Sequence, residues 1–110
     1  MKIDELKSYF DIVDDDKRAF ALDALDEYIY FCDQIAELKK LPLIRVDKNN
    51  PAKQVITPAG KLIKDYSQII DAKRGTLLRI LYRVDNSAAD ELLAKLAEFE
   101  RKHILNNITN

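Results

Sequence analysis

Residues that punctuate or cross-link a fold are scarce in this chain. Its 110 residues include two glycines, three prolines, one cysteine, one histidine and no tryptophan. A lone Cys32 excludes an internal disulfide, and together with the single His103 it leaves no cluster of soft ligands for a structural metal. Two isolated glycines, Gly60 and Gly75, cannot form the glycine-rich loop that cradles a nucleotide phosphate. No serine stands at a motif spacing from His103, and Cys32 falls on an apolar stripe, where a thiol reads as core rather than nucleophile. Three consecutive acids, Asp14–Asp16, invite an acid–base reading. A helix start explains them better, because one carboxylate can cap it and the others favour its dipole. Catalysis is therefore not expected, nor is a metal or cofactor. No run approaches the roughly 18 apolar residues of a membrane span. The opening "MKIDELKSYF" is amphipathic and mixed in charge, unlike a signal peptide, so the expected location is cytoplasmic.

Apolar and charged residues dominate instead, at 47% and 34%, the composition of a folded, helix-rich protein. At this length one domain is expected. The patterning predicts a mainly helical, all-α fold of two long helices joined by a small β-hairpin or extended loop, with short helices at either end. Within residues 1–14, Ile3, Leu6, Phe10 and Val13 recur at helical spacing. The long acidic helix over 15–41 carries one apolar stripe of Ala21, Ala24, Tyr28, Phe31, Ile35 and Leu38. Beside it runs a second, formed by Leu22, Leu25, Ile29, Cys32 and Ala36. So wide a face predicts several packing neighbours, other subunits among them. Residues 42–57 break the period: "LIRV" and "QVIT" are β-prone runs flanking the turn-rich "DKNNPA".

Thr57 can cap a helix over 58–84, and Pro58 suits its first turn. Leu62, Ile63, Tyr66, Ile69, Ile70, Leu77, Leu81 and Val84 mark its buried side. Gly75 costs about 1 kcal/mol against alanine inside a helix, so either a kink or a division into two helices is open there. The last helix, 86–103, begins at "SAAD", a capping-box pattern with Asp90 at the third position, and buries Leu92, Leu93, Leu96 and Phe99. Residues 104–110 are expected to fray.

Charge is divided along the chain. Residues 1–41 carry six basic and eleven acidic side chains, net −5, whereas residues 42–85 carry nine and four, net +5. Such asymmetry points to self-association or to an anionic partner for the middle third. Arg45, Lys48 and Lys53 on the expected hairpin, Lys61 and Lys64 at the next helix start, and Lys73, Arg74 and Arg79 beyond are the candidates for phosphate contact. Two lysines where a helix dipole prefers anions raise the question of what they meet.

The order of these elements carries a resemblance. An acid- and alanine-rich long helix ends in "IAELKKLPLIRV", an extended excursion contains Asn50-Pro51, and the next helix opens "TPAGKLIKDY". Over roughly residues 17–84 this resembles the short helical family of tailed-bacteriophage terminase small subunits, with Pro58, Ala59, Lys61, Ile63 and Tyr66 matching the helix opening. "LKKLP" lacks the glycine that many members place at the end of the first long helix, and "DAKRGTLL" replaces their Leu-Gly-Leu-Thr-Pro-type turn. The resemblance implies a non-catalytic, DNA-binding, ring-forming adaptor acting in the cytoplasm of a bacterial host. Its partners would be double-stranded viral DNA, the large terminase subunit and further copies of itself. On that reading Ala24, Tyr28 and Phe31, with Asp23, Asp26 and Asp33, are oligomer-interface candidates. Lys61 and Lys64 then meet either DNA or those acids on a neighbouring subunit. The alternative is a small helical phage or prophage interaction protein, a head–tail adaptor or regulator, without nucleic-acid binding.

Overall fold

The computed structural model describes residues 3–50 and 52–105 of the chain, and these are predominantly helical. α1 (Ile3–Ser8) tightens into a 3₁₀ turn over Tyr9–Ile12 and seats Leu6, Phe10 and Val13 in the core. α2 (Asp15–Leu38) follows after Asp14, which occupies the N-cap position without a side-chain capping bond. Strands β1 (Ile44–Val46) and β2 (Gln54–Ile56) pair antiparallel, with Arg45 opposite Val55. α3 (Pro58–Tyr82) and α4 (Asn86–Glu100) complete the order, and α4 runs on into a single π turn over Arg101–Leu105.

The double apolar stripe of α2 dictates the packing. A face this wide takes more than one neighbour: α3 lies along it, while α4 reaches it at Tyr28, through Phe99 and the Leu96 carbonyl, and through the π turn that follows. α2 and α3 form a long antiparallel pair, pinned by Lys73 Nζ on Glu27 at 2.9 Å and by Phe31 against Tyr66, with ring centroids 5.1 Å apart. α4 covers only the half remote from the hairpin, where Leu6, Phe10, Leu25, Tyr28, Leu77, Leu81, Leu92 and Leu96 are buried together. The π turn carries this cover on to Asp33 and brings Ile104 to Ile35 and Ile63, and beyond it the helix pair ends in the two-stranded arm. The result is elongated, 58 × 25 × 19 Å with a radius of gyration of 17.0 Å. A compact chain of this length would have about 13 Å.

Several expectations need correction. Ala24 and Tyr28, interface candidates on the sequence, belong to the chain's own core. At Gly75, where a kink or a division into two helices was left open, α3 continues as one helix. Leu62, Val84 and Leu93, expected inside, are exposed. The cap of α4 is Asp85, whose carboxylate accepts the N–H groups of Ser87 (2.9 Å) and Ala88 (3.2 Å). Asp90 instead accepts the Tyr82 hydroxyl at 2.6 Å. Order also persists past residue 103: the π turn runs to Leu105 with Ile104 packed on the core, and His103 within it meets Asp33 and stacks on Phe99, with centroids 4.8 Å apart and planes 13° off parallel. Residues 106–110 of the expected frayed tail, and Pro51 of the link, lie outside the described residues.

Candidate nucleic-acid interface

The arm is built by local chemistry. Asp47 accepts the Asn49 N–H at 2.8 Å and Asn50 accepts the Ala52 N–H at 3.2 Å, side-chain turns that reverse the chain between the strands. At its base Thr57 makes two bonds with one hydroxyl, accepting from the Gly60 N–H (3.2 Å) and donating to the Pro42 carbonyl (2.6 Å). The first of these caps α3; the second ties the cap to the end of the α2 connection. Gly60 is required by proximity, since a Cβ there would lie 2.7 Å from both the Leu43 carbonyl oxygen and Ile56 Cγ1. The helix start and the hairpin are thus wedged into one unit, which sets where Lys61 and Lys64 stand relative to the strands.

That unit gathers Arg45, Lys48, Lys53, Lys61 and Lys64 at one end of the molecule. All five are exposed, and none has an ion-pair partner among the described residues. Asp47 and Asp65 are the carboxylates among them: Asp47 lines a hollow with Arg45 and Lys48, and Asp65 one with Lys61 and Lys64. One side of the ribbon is apolar as well as exposed, because Ile44 stands opposite Ile56 with Val46 beside them. The arm therefore offers cations and uncovered aliphatic surface together.

The other three basic candidates part company with these five. Lys73 is held by Glu27. Arg74 reaches Glu100 through Nε (2.9 Å) and Nη2 (2.7 Å) and Asp71 through Nη1 (2.9 Å). Its bond to Glu100, above all, raises the guanidinium pKa further above its ordinary value. The Tyr28 hydroxyl donates to the same Glu100 carboxylate, so α2, α3 and α4 converge on one acid. Lys73 and Arg74 are accordingly corrected to structural residues. Arg79 is exposed but lies fifteen residues beyond Lys64 on α3, about 22 Å along the axis, in different company.

The interface candidates on α2 also divide. Phe31 is half-buried against Tyr66. Asp26 stands 3.8 Å from Lys7, and Asp33 meets His103. Asp23 is exposed with no ion pair among the described residues, and Tyr30, two helical turns further along the same side of α2, is 55% exposed. Glu100 was not singled out from the sequence: an acid four residues past a buried leucine looks like any solvated helix residue until α3 is placed beside it. Comparisons of the chain with known protein families, with curated proteins and with solved structures return no match.

Proposed function

We propose that the chain is a non-catalytic DNA-binding adaptor that assembles into rings, a phage terminase small subunit that presents viral DNA to the large ATPase–nuclease subunit. The observation that carries this reading is the arm, whose five cations at the tip of an elongated helix pair have no ion-pair partner among the described residues. Lysine and arginine on a projecting ribbon reach phosphates without base readout, so the affinity would be salt-dependent and largely sequence-blind. The order of elements over residues 17–84 supplies the packaging context. Ring assembly draws support from two unlike surfaces: the apolar and basic arm, and the exposed side of α2 that carries Asp23 and Tyr30. Contact between two different faces of identical chains is head-to-tail and closes into a ring when the rotation permits.

Native mass measured across salt, paired with DNA titration, tests the reading. A discrete assembly larger than a dimer is expected. Affinity for duplex DNA should fall linearly on a log–log salt plot, and the slope should become shallower by about 0.9 for each phosphate contact removed by Arg45→Glu or Lys48→Glu. A monomer or dimer at all salts, indifferent to DNA, would favour the head–tail adaptor or regulator alternative, and the arm's apolar side would then be its docking surface.

A further inference from the structure

The end of the bundle opposite the arm holds a second uncovered surface, and Phe20 marks it. Position 20 falls outside both apolar stripes of α2, and its ring is 58% exposed. It lines an open hollow of about 440 Å³ between the first turns of α2 and the last turns of α3, together with Ile80 and the cations Lys17, Arg79 and Arg83. A second hollow of about 240 Å³ shares Lys17, Ile80 and Arg83 and adds Ile12 and Val84, each about half exposed. The two form one groove, apolar along Ile12, Phe20, Ile80 and Val84 and edged by three cations. None of the three is ion-paired among the described residues, although Asp14 and Asp16 also line the groove.

We propose that this groove docks an acidic amphipathic helix of a partner protein. Charge complementarity selects the sign of the partner: three cations without an ion pair among the described residues, against two carboxylates, favour an anionic ligand. The apolar residues select its kind. DNA phosphates reward cations alone and gain nothing from a bed of isoleucine, valine and phenylalanine, whereas a helix that presents leucine or phenylalanine beside glutamate uses both features. A second copy of this chain fits poorly, because its own acidic amphipathic helices already bury their apolar sides internally, as Leu6 of α1 and Leu25 of α2 do. The C-terminal dipole of α3 accounts for Arg79 and Arg83 as residues at a helix end. It does not account for uncovered Phe20, Ile12 and Val84 beside them. The inference goes beyond DNA binding and does not depend on it, since the arm and the groove lie at opposite ends of the helix pair.

The test is fluorescence anisotropy with a labelled synthetic helix carrying leucine and phenylalanine at i, i+3, i+4 and i+7 and glutamate elsewhere. A copy with lysine for glutamate serves as control. The glutamate peptide should bind saturably and roughly tenfold or more tighter than the lysine peptide, and Phe20→Ala and Arg83→Glu should each weaken it by at least about tenfold. Both side chains are exposed, so these variants should fold, which thermal melts confirm independently. Arm variants Arg45→Glu and Lys48→Glu should leave peptide binding unchanged while lowering DNA affinity, which separates failure of one reading from failure of the other. No saturable peptide binding, or binding indifferent to Phe20→Ala, overturns the proposal. So does a result in which the groove variants alter only DNA affinity, making the groove a nucleic-acid surface, or only native mass, making it a contact between copies.

Discussion

Glu100 joins three helices through one carboxylate, with Arg74 of α3 reaching it by two nitrogens and Tyr28 of α2 by its hydroxyl. Both charged side chains are about three-quarters buried, so removing one leaves the other without its counter-charge. Arg74→Met should therefore cost about 2 kcal/mol in urea unfolding, yet leave DNA affinity per folded molecule unchanged. A drop in affinity with intact stability would return Arg74 to the DNA-contact residues. The same pocket holds Cys32, whose thiol pKa is pushed up from 9.0 to about 12, chiefly by burial and then by the Glu100 charge. Burial, followed by the bond to Glu100, likewise raises Tyr28. Both groups keep their protons in the folded chain at pH values where the unfolded chain ionises. The stability they contribute is thus complete below about pH 9 and lost as pH climbs towards 12. The urea midpoint should fall between pH 8 and pH 11, and Cys32→Ala should flatten that fall even though it lowers the midpoint at neutral pH. None of this was visible in the sequence, where Arg74 and Arg79 are equivalent basic residues. What distinguishes them is an acid 26 positions away in one case and open solvent in the other.

At the scale of elements, periodicity was informative because burial on one side is a repeating demand. The double stripe of α2 foretold its several neighbours, and the punctuation from Pro42 to Gly60 foretold the arm. What failed were local contests decided by a single geometry. Asp85 outcompeted Ser87 as the cap of α4, having an extended backbone and a carboxylate that spans two N–H groups. The buried stripes of α2 are covered from within its own chain, and stripe width alone does not separate such neighbours from other subunits. The two glycines show why residue type underdetermines role. Gly60 is wedged against the hairpin base, so Gly60→Ala must push Ile56 or the Leu43 carbonyl away and should destabilise the chain by about 1–3 kcal/mol. Gly75 sits inside α3, where a methyl group would meet nothing nearer than the Arg79 guanidinium at 3.8 Å. Gly75→Ala should therefore stabilise by about 0.5–1 kcal/mol, through helix propensity and a less flexible unfolded chain. Thermal melts of the two variants should move in opposite directions; a loss of stability in Gly75→Ala would mean that α3 needs a bend there.

For the whole molecule the decisive fact is where the core is not. Leu6, Phe10, Tyr28, Leu77, Leu92 and Leu96 all lie in the half covered by α4, while the arm leaves Ile44, Val46 and Ile56 about half exposed. A two-stranded ribbon is marginal on its own, and this one is held by Thr57 and the Gly60 wedge rather than by buried area. Antiparallel helices can be joined by a loop of two to five residues. Replacing residues 44–56 with a short glycine- and asparagine-containing loop should therefore keep cooperative unfolding within about 1 kcal/mol of the intact chain, because little apolar surface is lost from the core. The same change removes Arg45, Lys48 and Lys53 together, so DNA affinity and assembly should collapse. Capture of the acidic helix at the Phe20 groove should survive, since nothing at that end has changed. If instead the shortened chain unfolds, the arm is part of the folding unit, and its exposed aliphatic side must be covered by a neighbouring copy for the protomer to be stable. The equilibrium stability of the intact chain would then depend on protein concentration, as it does for obligate assemblies. Dilution series of the intact chain distinguish the two cases: a midpoint independent of concentration fits an autonomous bundle carrying a detachable arm, and one that rises with concentration fits a protomer completed by its neighbour.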